Sequence, residues 1–237
     1  MPPGLNAWYR ALGLEVLEAY ASSEIASAVV STREHCRDGS VGRALPNVQV
    51  RIAEDGEILI RSESCMLGYY GQPEATRAAL ADGWMHTGDM GRLDEDGYLY
   101  ITGRLKDIYK TAKGKYVAPL PIERKFAGNP YLEQVCLVGE GLAQPVLVAQ
   151  QSAVARAADP SDIARLLGAL LDEVNKTLQA HERIKFILLT DCEWNEANGL
   201  CTHSLKLNRK NVETAYAGLI TDIYPTVERA GSQVHWQ

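Results

Sequence analysis

Two acidic turns constrain this chain more than any other feature. Glu54-Asp55-Gly56 stands between Val48, Val50 and Ile52, which alternate with Gln49 and Arg51, and a second alternating pair, Ile58 and Ile60. Asp94-Glu95-Asp96-Gly97 divides residues 90–93 from residues 98–101 in the same way. A period of two turns alternate side chains to one face of a strand, and an Asp-Gly turn supplies the positive φ that a tight hairpin needs. Residues 40–103 therefore read as a small antiparallel β-structure, a barrel or a curled sheet.

Past Gly103 the period changes. Asp159-Pro160-Ser161-Asp162 has the form of a helix start, with a capping side chain, proline at the first position and an acid in the first turn. Ile163, Leu166, Leu167, Leu170, Leu171, Val174 and Leu178 then follow at helical spacing. That apolar stripe must pack on something, and residues 134–138, 146–149 and 184–189 read as the strands it covers. Residues 121–128 read as the start of another helix. Near the N-terminus, residues 7–20 mix a short helical pattern with Leu14-Glu15-Val16-Leu17, which reads as a strand end. The fold class is α+β, with a boundary near Gly103-Arg104-Leu105-Lys106-Asp107.

Composition narrows the function. The net charge of −6 lacks the basic excess of a general nucleic-acid or anionic-membrane binder, so any anion site must be local. No apolar run approaches the ~20 residues that span a bilayer. Met1 to Leu5 has neither a basic flank nor an apolar signal core, which points to the cytoplasm. The five cysteines form no CxxC pair and read as free thiols.

Five motifs carry the chemistry. In chain order they are Tyr20-Ala21-Ser22-Ser23-Glu24, Trp84-Met85-His86-Thr87-Gly88-Asp89, Gly103-Arg104-Leu105-Lys106-Asp107, Lys113-Gly114-Lys115-Tyr116-Val117-Ala118-Pro119, and Asn198-Gly199-Leu200-Cys201-Thr202-His203-Ser204-Leu205-Lys206. In this order and spacing the set resembles the acyl-adenylate-forming (AMP-binding) superfamily, and most of all its long-chain fatty acyl-CoA synthetase branch. The resemblance covers nearly all of residues 7–215. It implies a β-barrel-like remnant of the large N-terminal domain over residues 1–104. A small α+β C-terminal lid domain would follow over residues 105–237, with the hinge at Lys106.

Such ligases join a carboxylate to AMP, release pyrophosphate, and pass the acyl group to a thiol. The first step brings one anion onto another, so it calls for Mg²⁺, a lysine, and fixed contacts to the nucleotide. By resemblance, Tyr20 stacks on adenine, Ser23 lies near phosphate, and Glu24 is the catalytic carboxylate that holds Mg²⁺. Asp89 accepts the ribose hydroxyls and Arg104 contacts the ribose. Lys206 reaches the α-phosphate as the catalytic lysine. Gly114 lies in the loop where CoA threads in, with Lys113 and Lys115 beside it. The family carries glycine after the tyrosine, where this chain has Ala21. It commonly reads Thr-Pro-Thr where this chain has Thr202-His203-Ser204. His86 fills a variable position and receives no catalytic role.

Only 19 residues precede Tyr20, and they contain no Ser/Thr/Gly-rich phosphate loop ending in lysine. The expectation is thus a part of an ATP-dependent acid–thiol ligase, taking fatty acid, ATP and CoA in the parent enzyme but inactive alone. The alternatives are a non-catalytic nucleotide- or partner-binding module, or one half of a split ligase completed in trans by an N-terminal half. Leu12, Leu14, Val16 and Leu17 would have less cover in such a piece, which predicts self-association or poor order there.

Overall fold

The computed structural model describes residues 5–227 and 233–237. It divides into two compact units, Met1–Lys106 and Asp107–Gln237.

The first unit opens with helix α1 (Leu5–Ala11) and strands β1 (Ala19–Ser22), β2 (Ala26–Val30) and β3 (Arg43–Ala44). These strands form an antiparallel sheet in the order β1-β2-β3. Four more follow: β4 (Gln49–Ile52), β5 (Glu57–Arg61), β6 (Met85–Leu93) and β7 (Leu99–Arg104), with helix α2 (Pro73–Ala79) inserted before β6. They pair as an antiparallel meander, β4-β5-β6-β7. Both acidic turns join strands as the alternation predicted. In each, an aspartate side chain closes the turn: Asp55 Oδ1 accepts the Glu57 N–H at 3.1 Å, and Asp94 Oδ1 accepts the Tyr98 N–H at 2.9 Å. The two sheets share a core of Ile25, Ala28, Val29, Ile58, Ile60, Met85 and Leu99. A bridge between Arg43 and Tyr98 links their edges.

The second unit is three layers. Its sheet contains β10 (Leu132–Val138), β11 (Val146–Gln151), β12 (Ile187–Thr190) and β13 (Val234–Trp236), in that order. The first pair is antiparallel and the other two are parallel. Helix α5 (Pro160–Lys176) crosses between β11 and β12, as a parallel pair requires. Asp159 caps it by accepting the Ser161 N–H at 2.8 Å, and Pro160 occupies the first turn. Ile163, Leu167, Leu171 and Val174 are buried on the sheet face that carries Leu137, Leu147, Ala149, Ile187 and Leu189. Helix α6 (Arg209–Ile223) covers the opposite face. Its Val212, Tyr216 and Ile220 pack against Cys136, Val138, Val146, Val148 and Leu188. Shorter elements precede the sheet: hairpin strands β8 (Tyr109–Lys110) and β9 (Tyr116–Val117), and helix α3 (Pro119–Glu123). Helix α4 (Ala153–Ala157) lies between β11 and α5.

Several expectations shift. Residues 14–17 are not a strand, and Leu12, Leu14 and Leu17 are exposed. Leu166, expected in the buried stripe, is 37% exposed, because the stripe that meets the sheet is narrower than the apolar spacing suggested. The strand expected from Ile184 begins at Ile187, after Asn175 has capped Ile184 by hydrogen bonds to its N–H and its carbonyl. Helix α3 begins at Pro119 rather than Pro121, and turns follow it through Gly128. No helix among the described residues is long and apolar enough to cross a membrane.

The fully buried Leu167 tests the second core. Leu167→Ala should cost about 2–5 kcal/mol of stability in urea unfolding, through lost burial plus a cavity. Leu166→Ala, one residue away on the exposed side, should cost about 1 kcal/mol or less. Equal losses would contradict the packing.

Candidate functional site

In the first unit, three of the residues singled out from the sequence meet at one carboxylate. Strands β6 and β7 place Asp89 directly opposite Arg104. Arg104 Nε lies 3.0 Å from Asp89 Oδ1. The Tyr20 hydroxyl, reaching over from β1, donates to Asp89 Oδ2 at 2.8 Å. The Asp89 side chain is largely buried and that of Arg104 about half exposed, at 14% and 52%. Burial, chiefly, pushes the Tyr20 phenol well above its ordinary range, and the neighbouring Asp89 charge adds to this. Tyr20 is therefore a neutral donor. Ala21, where relatives carry glycine, is not among the described residues with positive φ, so its β-carbon adds no backbone strain.

On its other side, Asp89 is held out of the β5–β6 ladder. Leu59 pairs with His86 and Glu57 with Met90, so Thr87, Gly88 and Asp89 stand opposite Ile58 alone. Gly88 takes φ +69°, in the left-handed region that favours glycine. Side chains replace the missing ladder bonds. The Thr87 hydroxyl donates to the Ile58 carbonyl at 2.7 Å, and Thr87 Oγ1 accepts the Asp89 N–H at 3.1 Å. Glu57 Oε1 accepts the Gly88 N–H at 2.8 Å, and its other oxygen shares a 2.8 Å hydrogen bond with His86 Nδ1. The sequence reading did not single out Glu57. A lone glutamate after an Asp-Gly turn carries no signal of burial.

Ser23 and Glu24 lie in the turn between β1 and β2. Glu24 Oε1 accepts a hydrogen bond from the Tyr69 hydroxyl at 3.1 Å. Its carboxyl is held below the usual range, first by a hydrogen bond with the Ser22 side chain and then by its own backbone N–H. Glu24 is thus ionised and half-buried. Among the described residues no three His, Cys, Asp or Glu side chains cluster as a metal cage. One ionised carboxylate still suits Mg²⁺, which keeps waters and binds through one or two carboxylates plus phosphate oxygens.

In the second unit, Lys206 is exposed on a short loop. The loop is closed by the bridge between Cys201 and Leu207 and by the Thr202 N–H donating to the Lys206 carbonyl at 2.7 Å. Leu205 takes φ +58° at its tip. His203 Nδ1 lies 3.0 Å from both Glu196 oxygens. Three residues after Lys206, Arg209 forks onto Glu123, with Nη1–Oε1 at 2.7 Å and Nη2–Oε2 at 2.9 Å, and donates to the Leu137 carbonyl at 2.9 Å. This buried pair ties the root of the Lys206 loop to α3 and β10, and the sequence reading missed it. Gly114, at φ +73°, turns the β8–β9 hairpin at its exposed tip, which also carries Lys113 and Lys115. Lys106 is exposed in a single 3-10 turn, Leu105–Asp107, at the end of the first unit.

Comparison with known proteins gives the class. The AMP-binding enzyme C-terminal domain family matches residues 106–228, and the chain belongs to that family. A relative from Mycobacterium bovis, the long-chain-fatty-acid–CoA ligase FadD15, is 33% identical over 238 residues, taking in 93% of this chain and 40% of that protein. A CoA ligase of Rhodococcus jostii is 44% identical over 131 residues, 52% of this chain and 25% of that protein. The crystallised adenylation domain of a carboxylate reductase from Mycobacterium chelonae superposes with a TM-score of 0.78. It is 23% identical, over 95% of this chain and 37% of that one, a likeness of fold. The chain thus spans about 40% of the length of the curated ligase it matches over most of its own length.

Two measurements check this geometry. In a spectrophotometric titration to about pH 11, Tyr20→Phe should leave the tyrosinate signal unchanged, because the raised Tyr20 phenol has not ionised there. Loss of one tyrosine's signal would contradict its burial. Arg209→Ala, which strands the Glu123 carboxylate, should cost about 3–5 kcal/mol in urea unfolding. A loss below about 1 kcal/mol would show the pair to be solvent-screened.

Proposed function

We propose that this chain forms the C-terminal part of an AMP-forming acid–thiol ligase that takes a long-chain fatty acid through acyl-AMP to acyl-CoA. The observation that carries the proposal is the Asp89 carboxylate, fixed by Tyr20 and Arg104 where the β6–β7 pairing ends. A carboxylate offers about four acceptor directions, so two remain for a pair of vicinal hydroxyls such as those of a ribose. Tyr20 and Arg104 then define the walls beside the sugar, with the Tyr20 ring facing the base and Arg104 the ribose.

Glu24 would hold Mg²⁺, which when bound supplies charge neutralisation for the phosphates. Ser23 is next to it and exposed, suited to a phosphate oxygen. Lys206 is a cation on a loop with a rigid root. It would meet the charge that develops at the α-phosphate as the fatty acid carboxylate attacks and pyrophosphate leaves. Lys106 is the solvated position about which the Asp107–Gln237 unit would turn as the lid between the two half-reactions. The hairpin of Gly114, flanked by Lys113 and Lys115, would then face the CoA thiol.

The matched ligases are more than twice as long as this chain. The reading therefore includes a requirement for the phosphate loop and acyl pocket that the remainder of such a ligase supplies. Leu12, Leu14 and Leu17, exposed at the N-terminal end, support an uncovered face that a companion segment or a second copy would cover. A second reading, a nucleotide-binding module without chemistry, would keep Asp89 and Tyr20 in use but not Lys206.

An ATP–pyrophosphate exchange assay with fatty acids separates these. The chain mixed with a polypeptide supplying the rest of the ligase should exchange, and the chain alone should not. Lys206→Ala should lower exchange in the mixture by about 10²-fold or more. Exchange by the chain alone would overturn the requirement for the missing loop, and exchange indifferent to Lys206→Ala would overturn its catalytic role.

A further inference from the structure

We infer that Glu57 is a positioning residue for nucleotide binding: its carboxylate clamps the excursion of β6 that presents Asp89. The inference rests on the ribose reading of Asp89 and adds a residue which that reading does not contain.

The argument begins with the register. Between the pairs Leu59–His86 and Glu57–Met90, strand β5 has one residue and β6 has three. Three N–H groups cannot all pair with a single opposing residue, and an unpaired N–H in a half-buried segment is costly. Glu57 meets that need at the middle residue. One of its oxygens accepts the Gly88 N–H at 2.8 Å, the amide of the residue just before Asp89. A charged acceptor makes this bond about twice as strong as a neutral one.

The second oxygen is fixed as well. It shares a 2.8 Å hydrogen bond with His86 Nδ1, from the residue where the excursion leaves the ladder. The carboxylate thus spans both ends of the segment His86-Thr87-Gly88, so the segment cannot slide along β5 without breaking two bonds. Glu57 is one of few buried charged side chains in the described residues, at 7% exposure. Its own backbone is anchored by Asp55 through the acidic turn, with the Glu57 N–H donating to Asp55 Oδ1 at 3.1 Å. Glu57 makes no contact with Tyr20 or Arg104 in the hydrogen bonds described, so it acts on Asp89 through the backbone alone. An anchored Asp89 can receive two hydroxyls at once, whereas a loosened one meets them one at a time.

Calorimetric titration of this chain with AMP and with 2′,3′-dideoxy-AMP tests the idea. The wild type should prefer AMP, and Asp89→Ala should abolish that preference. Glu57→Ala should weaken AMP about tenfold and leave dideoxy-AMP unchanged. Glu57→Gln keeps an acceptor for Gly88 and should restore most of the loss. The Gly88 amide proton, shifted downfield by its carboxylate partner, should move upfield in Glu57→Ala, and the other core amides should stay in place. That spectrum also establishes that the variant is folded. If wild type and Asp89→Ala differ as expected but a folded Glu57→Ala binds AMP like wild type, the inference about Glu57 is overturned. If the wild type does not distinguish the two nucleotides, the ribose reading itself falls, and the purpose assigned to Glu57 falls with it.

Discussion

The Asp89 carboxylate already has a partner on each oxygen, a phenol on one side and a guanidinium on the other. Most of what is distinctive in the first unit follows from keeping that charge in place within a largely buried setting. The phenol comes from β1, so the β1-β2-β3 sheet must lie against the meander, and the core of Val29, Ile58 and Leu99 holds it there. The guanidinium comes from the residue paired with Asp89 across β6 and β7, so the second acidic turn must set the register. Asp89 itself leaves the β5–β6 ladder, which a strand tolerates only if side chains satisfy its backbone. Thr87 and Glu57 do so.

The second unit solves a different problem, presenting a single cation on a loop. Lys206 itself is exposed, so its position depends on its neighbours. The bridge between Cys201 and Leu207 closes the loop, and the Arg209–Glu123 fork fixes the first residue of α6 behind it. Arg209 Nε, buried without a hydrogen-bond partner, lies 3.9 Å from Asp107 Oδ2. Asp107 is the first residue of the unit, so the ion-pair group that roots the Lys206 loop extends to the point where the chain enters it. A sheet covered on both faces gives these anchors a stiff base.

The sequence made some of this legible and hid the rest for physical reasons. The two hairpins were readable because alternation and Asp-Gly turns are local signals. Helix α5 was readable because its cap, proline and stripe are contiguous. Helix α6 was not, since small and apolar residues such as Ala215, Ala217 and Leu219 blur the stripe of Val212, Tyr216 and Ile220, whose partners lie on strands far away in sequence. Strands β1 and β2, rich in alanine and serine, show no alternation. At the candidate site, Tyr20, Asp89 and Arg104 stood out through motifs, and the structure brings all three together. Glu57 and the Arg209–Glu123 pair did not stand out, because a buried carboxylate is recognisable only by what folds around it. Glu24, Ser23, Lys106, Gly114 and Lys206 occupy turns and loops with accessible side chains or backbone, and their roles rest on the proposed chemistry.

The central claim is that Asp89, steadied by Tyr20 and Arg104, is a ribose acceptor. A crystal structure of this chain with AMP tests it most directly. The account predicts both ribose hydroxyls within hydrogen-bonding distance of Asp89, the base against the Tyr20 ring, and the Asp89–Arg104 pairing across β6 and β7 retained. AMP bound elsewhere, or with its ribose turned away from Asp89, would contradict it.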